Sequence, residues 1–238
     1  MFVVSRLVEW LGTELDPASL KEKAVSGVGG VLGILLVMAV SHSVLGLSGA
    51  AMLIASMGAS AVLVFGVPHG ALSQPWPVLA GHGISAAIGV TCARLMPDAM
   101  LAAACAVGLS IVAMRVLKCI HPPGGATALT AVMGGQAVHD LGYSFVACPV
   151  LLNALVIVAA AVAVNYPFAW RRYPAALVRR TAPPTDPRKV THEDVIAALE
   201  RLDTFVDITE DDLLRLHASL TKRVEERARA GRSGRVVV

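Results

Sequence analysis

Between residues 24 and 170 the chain alternates long apolar stretches with short polar breaks. The apolar runs cover roughly 24–46, 49–67, 78–96, 99–118 and 143–165. Each holds about 18–23 residues, enough for a helix to cross a hydrocarbon core about 30 Å thick. A sixth run, 121–137, is shorter and opens on His121-Pro122-Pro123-Gly124-Gly125, which predicts a half-helix or a broken helix entering from one side. The pattern therefore predicts an all-α, polytopic membrane domain of about six segments.

The charge pattern sharpens this reading. From Ala24 to Trp170 the only charged side chains are Arg94, Asp98, Arg115, Lys118 and Asp140. A soluble domain needs a charged outer surface, and this region has none to offer. The mean hydropathy of +0.67 and the 55% hydrophobic content agree. The net charge of +3 is small, and the segment from Arg171 onward mixes basic and acidic residues, which argues against nucleic-acid binding. Cys92, Cys105, Cys119 and Cys148 lie in or beside apolar runs with no CxxC spacing, so they read as buried hydrophobes. Acidic residues near Met1 and the late start of the first long apolar run argue against a cleavable signal peptide.

The flanks differ from this membrane domain (24–170). Within 1–23, residues 2–11 place Val3, Leu7, Trp10 and Leu11 on one face, which suggests a short interfacial helix or a frayed terminus. Asp16-Pro17 reads as an N-cap followed by proline at the first helical position. Residues 171–190 form a proline-rich linker. Thr191/Asp194 and Thr209/Asp212 have capping-box spacing, and the stripes Val195-Leu199-Leu202-Val206 and Leu213-Leu216-Leu220-Val224 predict a soluble helical hairpin over 191–230. Residues 231–238 read as a disordered tail.

Orientation follows from lysine and arginine. Lys21 and Lys23 precede the first run, and Arg171, Arg172, Arg179 and Arg180 follow the last. Both ends are expected in the cytoplasm of a bacterial-type inner membrane. That parity requires an even number of crossings: six if the short run crosses, with four also open. Gly58-Ala59-Ser60-Ala61 is echoed by Gly125-Ala126-Thr127-Ala128, and each is followed by an apolar run ending in glycine. This suggests two three-segment units in an inverted repeat, a recurring transporter design with its site at the repeat interface; chance similarity of Gly/Ala-rich helices is the alternative.

The candidate chemistry centres on His121-Pro122-Pro123-Gly124-Gly125-Ala126-Thr127. Prolines fix the backbone where a helix starts, the glycines admit a close approach, and first-turn N–H groups with the helix dipole suit an anion. His121 can donate a hydrogen bond or take up a proton near neutral pH. The alternative is a purely structural turn capped by His121. Gly58 and Ser60 occupy the matching place in the first unit, where Ser60, like Thr127, either lines a path or bonds to its own helix. Gln74 sits in the proline-rich loop 68–77 as a substrate or packing group. His82 and Ser85 lie three apart on one helix face inside a run, where an ionisable group is a functional candidate. Asn153 and Asn165 are weaker candidates. Arg115 and Lys118 attract anions or simply mark topology. No nucleophile triad, paired carboxylates, phosphate loop or metal-ligand spacing appears, so neither an enzyme nor a cofactor or metal site is expected.

At His121–Leu129 the chain resembles the His-Pro-Pro (HPP) family of integral membrane proteins. The resemblance extends over roughly 20–170 and includes Gly58-Ala59-Ser60-Ala61, Gln74-Pro75, Gly81-His82, Ser85-Ala86 and Arg172-Tyr173-Pro174. It implies a membrane domain usually described with four spans, and, from plant and cyanobacterial members, nitrite transport. Many relatives carry paired nucleotide-sensing CBS modules after a helical linker like 191–224. Trp76 stands where a polar residue would follow Gln-Pro in the family. The expectation is a transporter or channel for a small inorganic anion, nitrite the best single guess. The alternative is a membrane-embedded sensor or scaffold whose helical tail binds a partner. The partners implied are the lipid bilayer and a small anion substrate; a homo-oligomer is compatible with the pattern.

Overall fold

The structure, a computed structural model, describes residues 19–177 apart from the side chains of 44–50 and 52, together with 213, 217–219 and 221. The interfacial helix expected at 2–11, the Asp16-Pro17 cap, the linker beyond 177 and almost all of the expected hairpin lie outside these residues. The first described helix has its own cap instead. The Ser19 hydroxyl accepts from the Glu22 N–H at 3.2 Å, in a Ser-x-x-Glu arrangement that satisfies an orphan first-turn donor.

Helical backbone runs from Leu20 to Ala61, yet this is no straight rod. At 1.5 Å per residue a straight helix would hold Gly29 and Phe65 about 54 Å apart. Instead the Phe65 ring lies directly against Gly29 and Gly33, and Val37 shares a core cluster with Leu53. The chain therefore folds back into two arms, here called α1 (Leu20–Ser43) and α2 (Leu53–Gly66). The remaining helices are α3 (Pro75–Leu95), α4 (Ala99–Val116), α5 (Pro123–Met133), the short α6 (Gln136–His139) and α7 (Val146–Asn165). The described residues contain no strand.

Four of these, α1, α3, α4 and α7, are long and apolar enough to cross a membrane. The run at 121–137 gives the short helix expected of it, because Pro122 and Pro123 delay its start and Gly134-Gly135, with Gly135 at φ 76°, ends it. Over the run at 49–67 the backbone is helical to Ala61 and continues through a π-helical turn, Val62–Gly66.

The outward faces are those of a membrane protein. Val28, Val31, Leu32, Leu35 and Leu36 of α1 are exposed, as are Leu109, Ile111, Val112 and Val116 of α4. The interior holds Ala, Gly, Ser, His and Asn, the small and polar residues that let membrane helices approach and bond to one another.

The two ends of the domain meet at one face. Buried Arg171 reaches Glu22 and the Phe65 carbonyl, and its Nε donates to Asn165 Oδ1 at 2.6 Å. Trp170 Nε1 donates to the other Glu22 oxygen at 2.9 Å. The same clasp covers the loop before α3. Tyr173 donates to the Ser73 carbonyl at 2.8 Å, and its burial pushes the phenol above its ordinary range. His69 Nε2 bonds to the Arg172 carbonyl at 3.0 Å. Gln74 uses both ends of its amide, donating to Pro68 and Gly70 carbonyls and accepting from the Ala175 N–H. The terminal face thus carries Glu22, Arg171 and the 68–74 loop; Arg94 and His139 mark the far face.

A β-carbon at Gly33 would lie 2.6 Å and 2.9 Å from atoms of the Phe65 ring, which is itself 1% exposed. We therefore expect Gly33→Ala to overpack the α1–α2 fold-back and to cost about 1–3 kcal/mol. Thermal denaturation of the detergent-solubilised protein should show a lowered midpoint, and Phe65→Leu in the same background should restore part of it. An unchanged midpoint would mean that the ring can turn aside.

Candidate functional site

The interior polar residues are not scattered. Ser56 and Ser60 lie four apart and so share one face of α2; His82 projects from α3; His121 precedes α5 and Thr127 lies within it. All five are fully buried. They join into one continuous hydrogen-bonded chain. His121 Nδ1 bonds to the Leu72 carbonyl at 2.9 Å, and His121 Nε2 to Ser60 Oγ at 2.9 Å. Ser60 Oγ also meets His82 Nε2 at 2.8 Å, so one hydroxyl bridges two imidazoles. His82 Nδ1 bonds to Thr127 Oγ1 at 2.7 Å, and Thr127 Oγ1 to Ser56 Oγ at 2.7 Å. Ser56 Oγ donates to the Pro123 carbonyl at 2.8 Å. The two rings sit edge to face with centroids 4.9 Å apart.

The depth follows from helix geometry. His82 is the eighth residue of α3, about 10 Å along its axis from the terminal face. The neighbouring helices can meet there because glycine removes side chains at the crossings. A β-carbon at Gly81 would lie 2.7 Å from His121 Cβ, and one at Gly89 would lie 2.6 Å from the Ala128 carbonyl. Gly124 faces the α3 backbone, where a β-carbon would meet the Gly81 carbonyl and Ser85 Oγ at 2.9 Å each. The α3–α5 contact is therefore a close backbone approach.

This geometry revises the role expected of the α5 N-terminus. Gly124 N–H donates to the His121 carbonyl at 2.8 Å and Gly125 N–H to the Pro122 carbonyl at 3.0 Å. Those amides close turns and are not free for an anion, and Pro123 has no N–H to give. The imidazoles and hydroxyls carry the reactive potential of the site.

The structure brings His121, Ser60, His82, Thr127 and Pro123 together, and seats Ser85 and Gly124 beside them. Ser85 Oγ makes only a long contact, 3.9 Å, to Met114 Sδ. Gly58 and Gly125 are half-buried without joining the chain, and Pro122 is exposed. Gln74 belongs to the terminal clasp. Arg115 and Lys118 are exposed near the end of α4, with Lys118 at φ 52° in the turn. Asn153 is remote from the imidazoles, donating to Ser41 Oγ at 2.7 Å, and Asn165 serves Arg171. Sequence reasoning missed Ser56 and the Leu72 carbonyl. The four-residue spacing from Ser60 was a usable signal for Ser56; a backbone carbonyl leaves none. No group of metal-ligating side chains occurs among the described residues.

At the far face a cavity of about 170 Å³ is lined by Val90, Ala93, Arg94, Ala131, Val138, His139 and Gly142. Arg94 stacks over the Tyr143 ring, 4.9 Å from its centroid. Between this cavity and the imidazoles the α3–α5 contact is closed by Gly89 on Ala128 and Ala131.

Residues 15–174 match the transmembrane region of the HPP family. The chain belongs to the HPP family. It is 35% identical over 182 residues to a transmembrane protein of Dictyostelium discoideum, covering 73% of this chain and 64% of that protein. A second transmembrane protein of the same organism is 35% identical over 180 residues, covering 73% of this chain and 58% of its own. The matched region is thus about three-fifths of either relative's length. No solved structure matches the chain. The HPP signature itself falls where His121 ends the buried polar chain and Pro123 supplies its last acceptor, so within this HPP protein the motif forms both a helix start and part of the hydrogen-bonded chain.

The two glycines of the motif should separate in experiment. Gly124→Ala drives a β-carbon into the Gly81 carbonyl and should cost about 1–3 kcal/mol. Gly125→Ala meets nothing nearer than Val107 at 4.0 Å and should be neutral or stabilising, since alanine is the better helix former. Melting curves of both variants in detergent check this; equal destabilisation would mean that the α3–α5 contact is not the limit.

Proposed function

We propose that this HPP protein moves a small inorganic anion across a bacterial-type inner membrane, with nitrite the best single substrate, along a path that includes the Ser60–His82–His121 cluster. The observation that carries the reading is the buried polar chain itself. Two imidazoles and three hydroxyls lie in the interior of a lipid-facing helical domain. Ionisable groups at such depth are costly and characteristically mark solute or proton pathways. Imidazole and hydroxyl donors suit a small oxyanion.

Further features support the proposal. The short α5 lies between the long helices α4 and α7. The echo of 58–61 in 125–128 has an offset of 67 residues, and the Ser56–Pro123 bond joins two positions separated by that same offset. An inverted repeat with short helices crossing at its interface is the arrangement we infer, giving six passes. Both ends of the domain lie at one face, with exposed Lys21, Lys23, Arg115 and Lys118 near it, which supports cytoplasmic termini. At the opposite face, Arg94 and His139 line a cavity suited to an approaching anion. The closed α3–α5 contact then corresponds to a state in which that entrance and the imidazoles are separated.

Proteoliposomes containing the full chain should take up nitrite, and nitrate, formate and chloride should be tested beside it. His82→Ala should reduce uptake at least about tenfold, as loss of a hydrogen bond to a charged solute together with the broken chain implies. Vesicles that pass none of these anions would end the transport reading. Reporter fusions at Met1 and after Arg180 should both report the cytoplasm; a periplasmic signal from either would overturn the six-pass orientation.

A further inference from the structure

The buried chain between Leu72 and Pro123 has a proton count that does not close. Its ends are both carbonyl oxygens, which only accept. Six short contacts, from 2.7 to 2.9 Å, link Leu72 O, His121, Ser60, His82, Thr127, Ser56 and Pro123 O in series. Each contact needs one proton. Neutral imidazole supplies one, and each hydroxyl supplies one. Two imidazoles and three hydroxyls therefore bring five protons to six contacts. In the neutral state one contact must press two lone pairs together with nothing between them. The remaining contacts, Ser60 Oγ to the Ser56 carbonyl at 3.4 Å and Thr127 Oγ1 to the Pro123 carbonyl at 3.5 Å, add acceptors and no protons.

We propose that this chain is a binding site for one exchangeable proton, which His82 and His121 hold in turn through Ser60. One added proton fills all six contacts, and it fixes their directions. Ser56 donates to Pro123 O, Thr127 donates to Ser56, and His82 Nδ1–H donates to Thr127. His121 Nδ1–H donates to Leu72 O. Two arrangements remain, and they differ only around Ser60. In one, His82 is the cation: its Nε2–H donates to Ser60, and Ser60 donates to neutral His121 Nε2. In the other, His121 is the cation: its Nε2–H donates to Ser60, and Ser60 donates to neutral His82 Nε2. They interconvert when His82 Nε2 gives its proton to Ser60 Oγ while Ser60 gives its own to His121 Nε2. Ser60 ends neutral, one N–H and one O–H bond break, one N–H and one O–H bond form, and every contact stays filled. A second proton has no contact to occupy, so the site saturates at one.

Among the described residues the surroundings contain no carboxylate to fix the charge. Among the described residues Glu22 is held by Arg171 and Trp170, Asp98 caps α4, and Asp140 accepts from Gln136. The packed elements present Ser56 and Ser60 from α2, Ser85 from α3, Met114 from α4, Thr127 from α5 and Leu151 from α7, none ionisable in this range. Cys119, buried in the turn before α5, is a thiol and adds no positive charge; Arg115 and Lys118 are exposed. The cation is thus stabilised by neutral acceptors alone, and an anion arriving beside it would find an uncompensated positive charge. Resting on the anion-path reading above, this proton is the ion whose movement is coupled to the anion.

The test uses the full chain, labelled with 15N-histidine, in lipid nanodiscs, with His82→Gln and His121→Gln assigning the resonances. Imidazole nitrogen shifts are followed from about pH 8 down to about pH 4, across the ordinary histidine range. We expect the two side chains together to take up one proton per protein, with their signals averaged by exchange. In Ser60→Ala the averaging should disappear and the proton should settle on a single imidazole; Ser60→Thr, which keeps the hydroxyl, should retain exchange. No uptake across this range, or independent titration to two protons, would overturn the proposal, as would exchange that survives in a folded Ser60→Ala protein. Nitrite uptake in parallel vesicles separates the two ideas. Single-proton exchange without any anion flux sinks the transport reading and leaves the proton site standing, whereas flux without it does the reverse.

Discussion

The cost of an unsatisfied polar atom in a hydrocarbon interior governs this fold. Ser56, Ser60, His82, His121 and Thr127 are buried in a domain whose outer faces meet lipid, so no bulk water can satisfy them. Their hydrogen-bond partners are one another and the backbone carbonyls of Leu72, Pro123 and Ser56. That requirement fixes the relative positions of α2, α3 and α5 far more tightly than apolar packing would, because lipid tails solvate leucine and valine as well as a neighbouring helix does. Hydrogen bonds in such a setting are also electrostatically stronger and mutually polarising. The chain of contacts is therefore both a structural lock and the chemically responsive part of the molecule.

Close approach is the second constraint, and it serves the first. Side chains as short as serine and threonine can touch an imidazole on another helix only if the backbones come near. Gly81, Gly89 and Gly124 make that approach available between α3 and its neighbours. At the terminal face the same logic takes another form. Arg171 is buried, and Glu22, Asn165 and the Phe65 carbonyl surround its guanidinium, tying α1, α2 and α7 together at their common end. Gln74 and Tyr173 complete this end by donating to the loop carbonyls of Pro68, Gly70 and Ser73. A residue of the HPP resemblance such as Gln74 is thus accounted for by backbone satisfaction.

Much of the architecture was legible in the apolar runs. The positions of α1, α3, α4 and α7 follow from stretches long enough to span, and the brevity of α5 follows from its prolines and terminal glycines. That α1 and α2 fold back on each other, bringing Phe65 against Gly29 and Gly33, was not legible, because no polar break separates the two arms. In the site, His82 stood out as an ionisable group within a run and His121 as part of a distinctive motif. What the sequence suggested about the first-turn amides of α5 did not carry over, since the Gly124 and Gly125 N–H groups close turns onto His121 and Pro122. Whether an amide is free depends on backbone torsions that residue types constrain without fixing.

Composition and patterning by themselves determined that this is a helical membrane protein, and the His121–Leu129 motif carried its resemblance to the HPP family and one of its two interior imidazoles. These are properties of single segments, set by local hydrophobicity and by residues that start or stop helices. Only the tertiary structure decided that Ser60 lies between His82 and His121, that Ser56 and Thr127 extend the chain, and that both of its ends are acceptors. The partners lie 22 to 71 residues apart, and the bonds between them depend on crossings accurate to a few tenths of an ångström. No local rule transmits such precision. It arises when the helices pack, because in an apolar interior each polar group must find its partner or remain unpaired.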